Sequence, residues 1–211
     1  KIPSCIIKPL LGKDKVLKGM PAPGTRDYAP LNYYVAKYDP SGNLMWAKVA
    51  LSRDNSVAFE SVSDKQNNIY VRAYCTYGEI SFNSHTVMSR DSGNYYGGRF
   101  GLLLIKYTPS GEEEWIVRGG DFNIKQMFVD DSSNIVLRGN YGSDKQYIST
   151  SFGKVYHLEA LKTFTQAVFH FSPKGELLRV AEEFPEIKEH GYVQRMVRDS
   201  AGNHYALVLP Y

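Results

Sequence analysis

Apolar residues fall in short runs bounded by Pro, Gly, Asn and Asp, and the clearest are Leu102-Leu103-Leu104-Ile105 and Ile135-Val136-Leu137. Short β-rich runs between turn formers read as strands. Helical periodicity is weak throughout, and the best helical candidate, residues 157–162, falls in a connector. The pattern therefore predicts an all-β chain.

The runs repeat. Val35-Ala36-Lys37-Tyr38-Asp39-Pro40-Ser41-Gly42 returns as Leu104-Ile105-Lys106-Tyr107-Thr108-Pro109-Ser110-Gly111, and more loosely as Val168-Phe169-His170-Phe171-Ser172-Pro173-Lys174-Gly175. Trp46 and Trp115 each stand four residues after their glycine, and Arg179 takes that place in the third copy. A second signature follows at fixed phase. Asp64 leads through Asn68 into Ile69-Tyr70-Val71, Asp130 through Asn134 into Ile135-Val136-Leu137, and Asp199 through Asn203 into His204-Tyr205-Ala206. Proline presets φ and glycine tolerates positive φ, so the first signature reverses the chain tightly; Asp and Asn bond their own backbone in the second. Each unit is expected to hold two successive hairpins, giving three four-stranded antiparallel repeats at about 5–74, 75–140 and 141–211 within one domain, 1–211. Tandem units of this kind point to β-propeller blades, which hide their faces against one another. Trp46, Trp115 and the 102–105 run are expected to fill the space between sheets.

Composition narrows the classes. The 211 residues are 43% hydrophobic, which excludes disorder, and no apolar run is long enough for a transmembrane helix. The net charge of +3, without a dense basic run, argues against nucleic acid as a partner. Cys5 and Cys75 are the only cysteines and occupy equivalent repeat positions, so two free thiols are expected. Ile2-Pro3-Ser4-Cys5 faintly resembles the end of a lipoprotein signal, but a plain strand cysteine is the favoured reading because Cys75 is its repeat-equivalent.

The stretch from Ala36 to Trp46, with Asp131-Ser132-Ser133-Asn134, resembles the bacterial SBBP-type β-propeller repeat, and the likeness covers nearly the whole chain. The resemblance implies an exported or surface-exposed bacterial protein, periplasmic or outer membrane-associated, often a lipoprotein, with an accessory role in peptide or glycan uptake. Long connectors and Arg179 depart from the family pattern. The Gly-to-Trp interval is also similar to quinoprotein-type repeats, but nothing identifies a cofactor site and no cofactor is expected. A sialidase Asp-box sets its residues closer together.

Three blades are fewer than a closed propeller uses. Either two chains complete a six-bladed ring, or the chain is part of a larger propeller of six to eight blades. The second is favoured because the sequence opens with Lys1 inside a repeat. In both cases another chain or further blades would cover the exposed edges. Propeller topology puts the tight turns on one face and gathers the connectors 18–31, 51–57, 89–100, 119–124, 155–165 and 182–191 on the other, unless an added strand at 81–88 moves one of them. Long loops on a rigid scaffold are where binding tends to reside.

Within these connectors Tyr95, Tyr96 and Arg99 lie in a Gly-rich stretch, and Arg26 and Tyr28 occupy the matching connector of the first unit. Tyrosines stack on sugars or peptides and arginine grips carboxylates, so these five are the candidate binding residues; the plainer reading is an ordinary exposed Gly-Tyr loop. No catalytic signature is present. The five histidines are scattered, Glu112-Glu113-Glu114 reads as a solvated strand start, and 39–43 lacks the rest of a calcium loop. The expectation is a non-enzymatic module that binds a protein, peptide or glycan. The rivals are a glycan-active enzyme with paired carboxylates and a purely structural subunit.

Overall fold

The computed structural model describes residues 4–7, 15–18, 33–52, 56–75, 79–81, 86–88, 101–141, 146–159, 166–182, 192–198 and 203–209. Every regular element among them is a strand. In chain order these are β1 (Ser4–Ile7), β2 (Lys15–Lys18), β3 (Tyr33–Tyr38), β4 (Leu44–Ser52), β5 (Ser56–Ser63) and β6 (Ile69–Cys75). Then come β7 (Glu79–Ser81), β8 (Thr86–Met88), β9 (Gly101–Tyr107), β10 (Glu113–Val129), β11 (Ile135–Tyr141) and β12 (Gln146–Thr150). The last are β13 (Val155–Leu158), β14 (Gln166–Phe171), β15 (Leu177–Glu182), β16 (Tyr192–Arg198) and β17 (His204–Leu209). Residues 157 and 158, the start of the helical candidate, end strand β13 instead.

All pairings are antiparallel. The first sheet runs β3-β4-β7-β8. The second runs β5-β6-β9-β10-β12-β13 through the first half of β10, and the third runs β10-β11-β14-β15 through its second half. Two hairpins, β1-β2 and β16-β17, form separate two-stranded sheets among the described residues. Each large sheet therefore joins the Asp-turn hairpin of one sequence unit to the Pro-turn hairpin of the next, and straddles the boundary of the repeat.

Six hairpin turns share one geometry. The first residue's carbonyl accepts from the fourth residue's N–H, as in Gly42 to Asp39, Asn67 to Asp64, Gly111 to Thr108, Ser133 to Asp130, Gly153 to Thr150 and Gly175 to Ser172. The fourth residue has positive φ in each, between 62° and 88°. This is a three-residue loop, a type I turn closed by a left-handed residue. The first residue's side-chain oxygen also accepts the fifth residue's N–H, from Asp39, Asp64, Thr108, Asp130, Thr150 and Ser172 alike. The Pro-Ser-Gly and Asp-Asn signatures are thus one turn written in two alphabets, and 150–154 is a further copy that the sequence reading missed.

Irregularities repeat as well. The Asp-turn hairpins each skip one residue of register, at Phe59, Lys125 and Gln194, before pairing Glu60 with Arg72, Gln126 with Arg138 and Arg195 with Leu207. The Pro-turn hairpins skip Met45, Glu114 and Leu178 and pair Lys37 with Trp46, Lys106 with Trp115 and His170 with Arg179. Bulges bend and twist a strand at a set place, so their recurrence gives successive hairpins the same curvature.

The second sheet is buried on both faces. Tyr70, Leu102, Leu104, Trp115 and Val117 pack toward Phe122, Ile135, Leu137, Phe169 and Phe171 of the third sheet. Leu103, Ile105, Val71 and Ile116 pack on the other side with Tyr33 and Trp46 of the first. A strand covered on both sides reads as an unbroken apolar run rather than an alternation, which explains 102–105, each at most 1% exposed.

One joint links the sheets twice. Trp46 Nε1 donates to Pro109 O at 3.0 Å and Lys37 Nζ donates to the same oxygen at 3.1 Å. Trp115 Nε1 and Lys106 Nζ both donate to Pro173 O at 3.0 Å. Each indole lies flat on the glycine of the turn it caps, so a Cβ added at Gly111 would stand 2.6 Å from Trp46 Cδ2, and one at Gly175 2.8 Å from Trp115 Cδ2. The core role expected of both tryptophans is what they perform.

The turn carboxylate Asp64 is the most heavily engaged. Burial alone would raise its pKa, but Asn68 Nδ2, the Tyr70 hydroxyl and the N–H groups of Asn68 and Gln66 all donate to it and hold it below 3.8. Burial, then the hydrogen bond to Asp64, raises Tyr70 in turn. A depressed folded-state pKa contributes stability above the ordinary carboxylate range and loses it as pH falls through the folded value. Asp64→Asn is expected to lose about 1–2 kcal/mol at pH 7 and to lose less than the unsubstituted protein between pH 5 and pH 2. Urea unfolding across that range checks it; an unchanged acid slope contradicts it.

Candidate functional site

The five candidate residues Arg26, Tyr28, Tyr95, Tyr96 and Arg99 lie outside the described residues. The structure describes the ends of the connectors that carry them. Residues 76–100 leave β6 at Cys75 and enter β9 at Gly101, and those two residues are paired. The Asp64 and Thr108 turns close the opposite ends of the same strands. The connector holding Tyr95, Tyr96 and Arg99 is therefore anchored at the edge away from the tight turns. The same holds in the third sheet, where Asn140 of β11 pairs with Gln166 of β14 at either end of the next connector.

Part of each connector returns to the preceding sheet. Ile80 and Ser81 of β7 pair with β4 and β8 pairs with β7; β12 and β13 extend β10 in the same way. The sequence reading allowed for one added strand near 81–88, which would reverse the chain's direction. A pair of strands is added, so the direction is restored and 89–100 starts from the connector edge.

The connector expected at 119–124 is instead the middle of β10, which runs unbroken from one sheet into the next. Its Gly119-Gly120 pair suggests a loop, but the Phe122 ring occupies the space of a side chain at Gly119, and the Gln146 amide that at Gly120. Glycine here is a packing requirement within a strand. Of the remaining connectors, Val155–Leu158 belongs to β13, while 53–55, 160–165 and 183–191 lie outside the described residues.

The buried polar groups of the connector edge serve the backbone. At the β10 bulge, Ile124 N–H donates to the Tyr74 hydroxyl at 2.8 Å, and Ile124 O accepts from Arg72 Nη1 at 2.7 Å and from the Tyr74 hydroxyl at 3.2 Å. Arg72 Nε lies 3.5 Å from Glu60. Two side chains of β6 thereby satisfy both backbone groups of a bulged residue in the neighbouring sheet, where leaving one unpaired costs about 1–3 kcal/mol. The Arg118 guanidinium donates to Ser149 at 2.6 Å and the Tyr141 hydroxyl to Glu159 O at 3.3 Å. Repeat spacing alone identifies Arg72 and Arg138 as equivalents, a signal the sequence reading passed over.

At the other edge, Glu114 pairs with Lys106 at 3.0 Å, whose ammonium also sits 5.9 Å from the centre of the Tyr70 ring. Glu114 is exposed at the start of β10, as the sequence suggests, and its carboxylate also pairs with the lysine of the inter-sheet joint. Among the described residues no group of three or more His, Cys, Asp or Glu is placed to hold a metal, and no helix there is long and apolar enough to cross a membrane. Cys5 and Cys75 sit in different sheets, and their side chains lie outside the described residues. Compared with known proteins, the chain matches no family model and no curated protein.

Proposed function

We propose that this chain is a run of SBBP-type β-propeller blades acting as a non-enzymatic binding module on an exported or surface-exposed bacterial protein. Its connector edge offers Tyr95, Tyr96, Arg99, Arg26 and Tyr28 to a peptide, a glycan or a protein partner. The observation that carries this reading is the twice-made joint of Trp and Lys on a neighbouring Pro turn. It stacks the hairpins in one orientation, so tight turns crowd one edge and connectors of some twenty-five residues leave from the other. The connector segments beyond the strand pairs β7-β8 and β12-β13 are loops on a rigid support, where ligands tend to bind. Tyrosine offers large contact area at low entropic cost, and a guanidinium pairs with carboxylates in a fixed fork.

The test is a binding screen of the purified chain on oligosaccharide and peptide arrays, repeated with Tyr95→Ala/Tyr96→Ala. The expected outcome is retention of at least one class of probe and a tenfold or greater loss in the double variant, with unchanged thermal unfolding. Equal binding by the variant, or turnover of an oligosaccharide, overturns the reading.

A further inference from the structure

The first two Pro-turn hairpins are built alike down to a single residue. Gly42 and Gly111 close their turns at the same φ of 83°, and each strand after the turn skips one position of register, Met45 in β4 and Glu114 in β10. Lys37 and Lys106 pair with the tryptophan that follows the skipped residue, and each ammonium donates to the proline carbonyl of the next turn. At Glu114 the skipped side chain reaches that lysine, with Oε2 3.0 Å from Lys106 Nζ, while its own side chain stays 44% exposed. Met45 holds the same place beside Lys37 and is 56% exposed. Its thioether, however, is only a weak acceptor.

We propose that Met45 is a site of reversible oxidation by peroxides, and that its sulfoxide accepts a hydrogen bond from Lys37 as Glu114 accepts one from Lys106. In the reaction a sulfur lone pair takes one oxygen atom from the peroxide. The S–O bond forms, the O–O bond breaks, and hydrogen peroxide leaves as water. The sulfur of Met and the carboxyl carbon of Glu occupy the same place along their side chains, so the new oxygen stands where Oε2 of Glu114 stands. A sulfoxide is polar, and methionine sulfoxide reductases return it to the thioether. The consequence is a tighter first joint, because Lys37 and Trp46 hold the same Pro109 oxygen. Met127 is 2% exposed and shielded from the reagent, and Leu178, the skipped residue of the third hairpin, carries no sulfur. The site is independent of what the connector edge binds.

Dilute hydrogen peroxide on the folded chain, followed by peptide mass analysis, is expected to oxidise Met45 about tenfold faster than Met127, a difference that urea abolishes. In the oxidised chain the Trp46 indole N–H is expected to exchange about threefold more slowly, the effect of one modest hydrogen bond, while Trp115 is unchanged. Met45→Gln is expected to show the slower exchange without peroxide, and Met45→Leu to remove the response. Equal oxidation of Met45 and Met127 in the folded chain overturns the proposal. So does Trp46 exchange that either oxidation or Met45→Gln fails to slow, an equal slowing at Trp115, or a response that survives Met45→Leu.

Discussion

Gly111→Ala is expected to destabilise the protein by about 3 kcal/mol, while Gly153→Ala costs only about 1 kcal/mol. Both glycines close the same turn at nearly the same φ, 83° and 88°. Both variants therefore pay for a side chain in the left-handed region. Only Gly111 lies under an indole, with Trp46 Cδ2 and Cγ at 2.6 and 2.8 Å from a new Cβ; at Gly153 nothing lies within 4 Å. To admit the methyl group, Trp46 must lift from the turn, lengthening its bond to Pro109 O and disturbing its contact with Tyr107 at 6.0 Å. The difference between the two variants isolates the joint from the turn. Equal losses in urea unfolding would show that the joint contributes nothing.

Trp115→Ala is the larger deletion, at about 3–5 kcal/mol. The indole is 3% exposed, its centre is 5.9 Å from that of Tyr70, and its N–H is bonded to Pro173 O. Trp115→Phe keeps most of the packing and loses the hydrogen bond, which places its cost at about 1 kcal/mol. Arg179→Ala, at the equivalent but exposed position, is expected to stay within about 0.5 kcal/mol. Chemical denaturation of the three variants orders them. A loss for Arg179→Ala matching that for Trp115→Ala would mean that the third unit is buried within the chain in a way its exposure denies.

The elements legible in the sequence are those specified by residues close along the chain. A three-residue turn needs an oxygen-bearing first residue and a fourth residue tolerant of positive φ, and Asp39…Gly42, Thr108…Gly111 and Asp64…Asn67 announce both requirements locally. The apolar run at 102–105 announces burial on two faces. Partnership between distant strands carries no such local mark. Which hairpin β6 pairs with depends on how the chain returns after residues 76–100, so a sequence unit was legible where the sheet straddling two units was not. Gly119-Gly120 misled because a glycine required by a neighbouring ring looks, in sequence, like one required by a loop. The hairpins β7-β8 and β12-β13 are short and flanked by polar residues, and only Thr150-Ser151-Phe152-Gly153 carried a turn signal. The candidate site rests on residue chemistry and on connector ends, because Tyr95, Tyr96, Arg99, Arg26 and Tyr28 themselves lie outside the described residues.

The joint that stacks one hairpin on the next underlies both the scaffold and the proposed binding edge. The sequence holds only two tryptophans, so a nitrogen-labelled sample has two indole N–H resonances, one for each joint. The direct measurement is their hydrogen exchange, in the unsubstituted protein and in Gly111→Ala and Gly175→Ala. Both resonances are expected to be protected, Gly111→Ala to shift and deprotect Trp46 alone, and Gly175→Ala to do the same to Trp115 alone. Two indoles exchanging freely in the unsubstituted protein, or the wrong tryptophan responding, would contradict the account.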